Sequence, residues 1–207
     1  MRTYPLLLIG NGAAVPRALL RKLAKEANCI LAVDGGANYA LQAAVWPNAL
    51  IGDLDSASAD AQKYLRARTF HISWQENTDL EKALHWAVEH QFPGVTLVDF
   101  IGKRWDFSIG NLLTCAKWAD KLDIRLIGQR RVVYPLVSGG VFKCRPDKRV
   151  SIIPLETCTN VTLKGFKYPL NRARLELGTT RSLSNQTTGN EFEVKFTRGR
   201  MLVYQEF

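Results

Sequence analysis

The sequence predicts an α/β protein: an N-terminal Rossmann-like, three-layer domain built on a parallel sheet, followed by a small antiparallel β-sandwich domain. Two observations predict this fold class. Over residues 1–128, short apolar runs alternate with segments of helical periodicity, which is typical of a parallel sheet covered by helices on both faces. Over residues 129–207 the helical periodicity stops, and β-rich runs are separated by Gly, Pro or Asn, as in a β-sandwich.

The N-terminal domain is expected to contain six strands and five helices in alternation. The apolar runs predict strands at residues 6–10, 29–34, 48–53, 69–73, 95–102 and 124–128. Apolar residues at helical spacing predict helices at about residues 17–28, 39–44, 58–67, 78–89 and 109–121. The amphipathic pattern is strongest in the fourth helix, where apolar side chains recur on one face.

The second domain is expected to consist of short strands only. Its β-rich runs are VVYPLV, VSIIPL, VTLKGF, ARLELG, EFEVKF and RMLVY. The turn-forming residues between these runs favour antiparallel connections.

Composition restricts the class of protein. The 207 residues carry a formal net charge of +9, which suits an anionic partner but is equally typical of a solvated basic surface. The four cysteines form no CxxC pair, so a zinc site is not indicated and a reduced, cytoplasmic protein is expected. No apolar stretch approaches the ~20 residues that a membrane-spanning helix needs, and no GxSxG or Walker A motif is present.

Polar residues follow the predicted parallel strands, where ligands bind in sheets of this kind. Five strands are followed by such residues: Asn11 after strand one, Asp34-Gly35-Gly36-Ala37-Asn38 after strand two, Asp53 and Asp55 after strand three, Gln75 to Asp79 after strand four, and Arg104 and Asp106 after strand five. Because the carboxyl ends of parallel strands meet at one edge, we expect these side chains to converge on a single site.

Three carboxylates could hold a metal ion at this edge. Asp53 and Asp55 lie in GDLDS, and Asp79 opens the predicted fourth helix. Together they would form an oxygen-only site suited to Mg²⁺. Alternatively, Asp53 and Asp55 are turn formers, and Asp79 only complements a helix N-terminus.

The remaining candidates also have structural alternatives. The glycines between Asp34 and Asn38 allow close approach of the backbone to a ligand, but also suit a plain strand-to-helix turn. Arg104 could bind phosphate oxygens or form a surface pair with Asp106. Lys82 lies three residues after Asp79, so it can pair with that carboxylate instead of with a substrate.

Together these segments resemble the thiamine pyrophosphokinase (thiamine diphosphokinase) family. The matching motifs are DGGAN, GDLDS, QENTDLEKAL and GKRWDFSIGNLL in the first half, followed by VSIIPL, GFKYPL and SLSNQTTGNEFEV in the second. They occur in the expected order from near residue 8 to the C-terminus.

The resemblance implies a two-domain homodimer that transfers the pyrophosphoryl group of ATP to the hydroxyl of thiamine, giving thiamine diphosphate and AMP. It implies that Asp53, Asp55 and Asp79 hold Mg²⁺. It implies that Gln75, Thr78 and Arg104 contact phosphates or substrate, and that Ser184 and Asn185 lie at a thiamine site shared between subunits. From the residues alone, those two are equally explained by a hairpin loop. Asp34 and Asp55 are both candidates for a weak general base.

The chain departs from the family pattern at two positions. Lys103 stands where a second glycine is usual, and Phe107 stands where a histidine is usual. Two alternative functions stay open: a pyrophosphokinase for a related alcohol, and a basic nucleic-acid-binding module, although the carboxylate-rich loops would repel a nucleic acid.

Overall fold

A computed structural model describes residues 3–52, 58–65, 69–70 and 77–207. The polypeptide divides into two compact units, Met1–Gln129 and Arg130–Phe207. No helix in the described part of the chain is long and apolar enough to cross a membrane.

The first unit is a parallel sheet with helices between its strands. Its elements are β1 (Leu6–Ile9), α1 (Arg17–Glu26), β2 (Cys29–Val33), α2 (Gly36–Gln42), β3 (Ala49–Ile51), α3 (Ala59–Leu65), β4 (Thr69–Phe70), α4 (Asp79–Glu89), β5 (Gly94–Val98), α5 (Trp105–Trp118) and β6 (Asp123–Gly128). Strands β1 and β5 are buried along their whole length, which explains why both are continuous apolar runs.

The strand order in this sheet is β6-β5-β1-β2-β3-β4, and every pair is parallel. The chain progresses outward from β1 in one direction through β2 to β4, and returns to add β5 and β6 on the other side. Because such crossovers are right-handed, α1 to α3 cover one face and α4 and α5 the other. The order reverses between β1 and β5, so the loops that follow these two strands diverge and open a crevice.

The second unit is a sandwich of two antiparallel sheets. Its strands are β7 (Arg131–Leu136), β8 (Gly140–Lys143), β9 (Arg149–Pro154), β10 (Cys158–Lys164), β11 (Leu170–Leu175), β12 (Asn185–Gln186), β13 (Glu191–Lys195) and β14 (Met201–Glu206). The two sheets have the orders β12-β9-β14-β7 and β11-β10-β13-β8. One apolar core fills the space between them and includes Phe142, Ile152, Phe192 and Val203.

The predicted fold class is therefore confirmed, with corrections at several boundaries. Helix α5 begins at Trp105, four residues before the predicted start. The sequence does not reveal this first turn, because the turn is exposed and lacks the apolar periodicity that marks a buried face. Helix α2 begins at Gly36 instead of residue 39, because the two glycines that indicated a turn are its N-cap, Gly35, and its first residue, Gly36. Strand β5 ends at Val98, and the short strands β8 and β12 were not predicted.

Candidate active site

A cavity of about 400 Å³ lies at the carboxyl edge of the parallel sheet, a volume ordinary for a small-molecule site. Its walls come from four segments: residues 10–12 after β1, residues 33–34 at the end of β2, residues 78–80 at the start of α4, and the loop from Asp99 into α5. The cavity therefore occupies the crevice where the strand order reverses.

Glycines let the loops after β1 and β5 approach each other closely. Gly10 N donates to Val98 O at 2.9 Å, and Gly12 N donates to the carbonyl of Asp99. A Cβ atom at Gly12 would lie 2.5 Å from that same carbonyl oxygen, nearer than non-bonded atoms can approach. These glycines thus close one wall of the cavity by backbone contact.

The segment after β2 also reaches the site. Asp34 lines the cavity and adopts the left-handed region at φ +48°. Asn38, on α2, accepts a hydrogen bond from Ser58 N at 2.7 Å, and Ser58 Oγ in turn caps α3 by accepting from Ala61 N at 3.3 Å. The Asn38 side chain therefore holds Ser58 at the point where α3 begins.

Helix α4 presents its first turn to the cavity. Thr78 is the N-cap and accepts from Glu81 N at 3.3 Å, while Asp79 lines the cavity. Lys82 Nζ lies 2.9 Å from Asp79 Oδ1, and its side chain is only 15% exposed. Of the two interpretations of Lys82, pairing with Asp79 is therefore the one observed, and contact with a substrate is not needed to explain this residue.

Arg104 and Asp106 form an exposed ion pair. This surface pair is one of the two interpretations of Arg104 that the sequence allows. The guanidinium donates to both carboxylate oxygens of Asp106, at 3.1 and 2.5 Å, and lies 4.4 Å from the ring centre of Phe107. These hydrogen bonds hold the pKa of Asp106 below its usual range. Arg104 is the N-cap of α5 and lines the cavity edge.

Lys103 lines the cavity and contacts both helix α2 and the loop after β1. Its Nζ donates to Tyr39 Oη at 2.6 Å and to Asn11 Oδ1 at 3.1 Å, and it lies 4.9 Å from the Tyr39 ring centre. Both acceptors are neutral, so these two hydrogen bonds do not themselves neutralise the ammonium.

Asp99 is a buried carboxylate in the cavity wall, only 2% exposed. Oδ1 accepts from Val15 N at 2.7 Å, whereas Oδ2 is buried with no hydrogen-bond partner in the described part of the chain. The backbone lies in the left-handed region at φ +62°, which costs about 1 kcal/mol or more for a residue other than glycine. Burial raises the pKa of Asp99 to about 6, although Lys103 and the Val15 hydrogen bond oppose that rise.

The raised pKa predicts a specific pH dependence of stability. Because the folded-state pKa of Asp99 lies above the unfolded value near 3.8, the unfolded chain releases the proton first as pH rises. The free energy of unfolding should therefore fall between pH 4 and 6 and stay lower above it, by roughly 3 kcal/mol. Replacing Asp99 by Asn removes this titration, so the stability of Asp99→Asn relative to wild type should increase across the same pH range.

Urea unfolding from pH 4 to pH 7.5 measures this difference. Asp147→Asn is a matched control, since Asp147 has a similar backbone at φ +59° but is exposed. A stability difference between Asp99→Asn and wild type that stays constant over the range would contradict the buried, titrating carboxylate.

Ser184 and Asn185 lie in the sandwich unit, and their surroundings differ. Asn185 is 3% exposed, and its amide bonds both backbone groups of Tyr168, accepting from N at 3.1 Å and donating to O at 2.7 Å. Ser184 is exposed at φ +54°, and its backbone N donates to Ser151 Oγ at 2.9 Å. The Asn185 amide therefore shapes the loop at Tyr168, whereas Ser184 is an exposed residue.

Three predicted site residues, Asp53, Asp55 and Gln75, lie outside the described residues. Within the described ranges, no group of three or more His, Cys, Asp or Glu side chains could hold a metal ion. Asp34 and Asp79 are the predicted carboxylates that line the cavity there, and their oxygen atoms are of the type that Mg²⁺ prefers.

Two features of the cavity were missed from the sequence. Asp99 interrupts the apolar run VTLVDFIG and was assigned to the strand interior; the ionisable residue inside an apolar run was the available signal. Lys103 was noted only as a departure from a family pattern, and nothing local in the sequence indicated its contact with Tyr39.

An α/β unit with a charged cavity at a reversal of strand order is typical of enzymes that bind a small ligand at this edge of the sheet. The family comparisons are more specific. The model described as thiamin pyrophosphokinase, catalytic domain, matches residues 20–127, and the model described as thiamin pyrophosphokinase, vitamin B1 binding domain, matches residues 142–201. The chain belongs to the thiamin pyrophosphokinase family.

Relatives and solved structures agree with this assignment. A thiamine pyrophosphokinase of Bacillus subtilis is 29% identical over 181 residues, covering 84% of this chain and 85% of the relative. A crystal structure of thiamine pyrophosphokinase from Bacillus subtilis superposes with a TM-score of 0.86 at 26% identity, covering 97% of this chain and 98% of the other. A thiamin pyrophosphokinase from Geobacillus thermodenitrificans gives 0.84 at 28% identity, covering 98% and 97%.

Proposed function

We propose that the chain transfers the pyrophosphoryl group of ATP to the hydroxyl of thiamine, giving thiamine diphosphate and AMP. The observation that carries the proposal is the cavity at the strand reversal, whose charged walls lie in the part of the chain matched as a catalytic domain. The match of residues 142–201 to a vitamin B1 binding domain supports thiamine as the acceptor.

The reaction needs positioning and charge neutralisation more than covalent chemistry. The thiamine oxygen attacks the β-phosphorus of ATP, the bond to the α-phosphate oxygen breaks, and AMP leaves. Thr78 and Arg104 lie at the cavity edge, where each can donate to phosphate oxygens. Arg104 would exchange its exposed pairing with Asp106 for the phosphate, a small cost because surface ion pairs are weak.

We propose that Asp53, Asp55 and Asp79 hold Mg²⁺. Asp79 supports this proposal, since its carboxylate lines the cavity, and Mg²⁺ would share or replace the ion pair that it forms with Lys82. When bound, the ion would offset the negative charge of the phosphates. Asp34 remains a candidate for accepting the proton of the thiamine hydroxyl, because it lines the same cavity.

On the acceptor side, we propose that Ser184 contacts thiamine and that Asn185 positions the loop beside it. The exposed hydroxyl of Ser184 is available to a ligand, whereas the amide of Asn185 is committed to Tyr168. We also propose a cytoplasmic location, because all four cysteines are free thiols and thiols are kept reduced in the cytosol.

The experiment that tests the function is AMP formation from ATP and thiamine, with and without Mg²⁺, by wild type and Asp53→Ala. AMP that requires both thiamine and Mg²⁺, and is lost in the variant, supports the proposal. If wild type forms AMP only with another alcohol, the acceptor is wrong; if it forms none with any alcohol, the function is wrong.

We also propose that the chain forms a homodimer with the active site at the subunit interface. Helix α5 exposes three large apolar side chains at four-residue spacing, which places them on one face of the helix. Trp105 is 84% exposed, Ile109 56% and Leu113 52%. Exposed apolar rows of this kind mark interaction surfaces, and a second copy would cover this one.

Sedimentation should therefore give a mass near twice 23.3 kDa. Ile109→Glu should sediment as the monomer, because it places a charge in the apolar contact. The control Leu177→Glu changes a side chain that is 69% exposed in the other unit and should leave the dimer intact. A wild-type monomer, or a dimeric Ile109→Glu, would contradict the proposal.

A further inference from the structure

We propose that Lys103 is a phosphate-binding residue whose ammonium binds the polyphosphate chain of the nucleotide. Because this role assumes a nucleotide in the cavity, it rests on the proposed function. The proposal adds Lys103 to the three carboxylates and the arginine that are proposed above to act on the phosphates.

The ammonium is held in place by neutral groups. Tyr39 Oη and Asn11 Oδ1 accept two of its three N–H groups, at 2.6 and 3.1 Å, which leaves the third for a ligand. These acceptors come from α2 and from the loop after β1, so the long side chain is fixed from two sides. The Tyr39 ring, 4.9 Å from Nζ, adds a cation–π contact that restricts the Lys103 side chain further.

The other described cations of this region are already neutralised. Arg104 is paired with Asp106, and Lys82 is paired with Asp79. Among the described residues, Lys103 is the cavity cation with no carboxylate in hydrogen-bond contact. A positioned ammonium without a hydrogen-bonded carboxylate is well suited to bind a phosphate group as a point charge.

The location also fits an anion. Lys103 lies between the ends of β1 and β5, at the reversal of strand order where phosphate-bearing ligands bind in open parallel sheets. The nearest buried carboxylate, Asp99, attracts Lys103 through space without a hydrogen bond. That attraction therefore leaves the remaining N–H group of Lys103 unoccupied.

Calorimetric titration with inorganic tripolyphosphate, ATP and thiamine tests the role without requiring turnover. Lys103→Met should raise the Kd for tripolyphosphate and for ATP about tenfold or more, since a hydrogen bond to a charged group is lost. Lys103→Arg should recover most of the affinity, and the Kd for thiamine should not change. If Lys103→Met does not fold, Lys103→Gln replaces it.

A matched control is available in Lys121, whose ammonium also lies 4.9 Å from an aromatic ring centre, that of Trp118, away from the cavity. Lys121→Met should leave all three affinities unchanged. Equal binding of ATP and tripolyphosphate by wild type and Lys103→Met would overturn the proposal. A wild type that binds tripolyphosphate through Lys103 but forms no AMP would instead overturn the proposed function.

Discussion

Replacing Asp79 by Asn should lower the rate of AMP formation by a factor of about 100 or more. The carboxylate lines the cavity at the first turn of α4, and an amide is a much poorer ligand for Mg²⁺. The loss of charge stabilisation at a transferring phosphate costs about 3 kcal/mol, which corresponds to this factor. The substitution also leaves the largely buried Lys82 without its partner.

The dependence of rate on Mg²⁺ concentration distinguishes a metal ligand from a helix-terminal charge. Asp79→Asn should need a much higher Mg²⁺ concentration for half-maximal rate. Asp60→Asn is the control, because Asp60 is an exposed acidic residue in the first turn of α3. An Asp79→Asn variant with the wild-type rate and Mg²⁺ dependence would mean that Asp79 serves only the helix dipole.

Gly36→Ala should destabilise the protein by about 3 kcal/mol or more, although alanine is the better helix former by about 1 kcal/mol. A Cβ atom at position 36 would lie 2.0 Å from Ile9 O and 2.9 Å from Gly10 O. Both are backbone atoms of the strand and loop beneath α2, so no side-chain rotation relieves the clash. The loss of folding free energy caused by overpacking against fixed backbone atoms lies at the upper end of the range for single substitutions.

Chemical denaturation measures this change against Gly110→Ala. Gly110 is also a helical glycine of the first unit, but a Cβ atom there meets no other atom within 4 Å. That variant should be as stable as wild type or more stable, by up to about 1 kcal/mol. Equal stability of Gly36→Ala and Gly110→Ala would contradict the close packing of α2 on β1.

Much of the fold could be predicted because its signals are local. Buried parallel strands such as β1 and β5 are continuous apolar runs, and α4 carries both an N-cap threonine and an apolar stripe. The start of α5 could not be found in this way. Its first turn faces solvent, so no apolar periodicity marks the turn. Its N-cap residue, Arg104, makes no side-chain capping hydrogen bond, so no capping motif marks the start either.

The candidate site was predictable in position but not in detail. Parallel topology brings the ends of the strands to one edge, which is enough to place Asp34, Thr78 and Asp79 on one cavity. The partner of each side chain depends on distances between loops that are far apart in sequence. Lys103 contacts Tyr39 across 64 residues, and Asp99 contacts Val15 across 84; no pattern of neighbouring residues encodes such contacts.

The central claim is transfer of an intact pyrophosphoryl group, and the fate of a label on the γ-phosphate of ATP tests it most directly. With thiamine and Mg²⁺ present, the label should appear in thiamine diphosphate, with one AMP formed for each thiamine diphosphate. Formation of ADP together with labelled thiamine monophosphate would contradict the account, because it would mean attack at the γ-phosphorus.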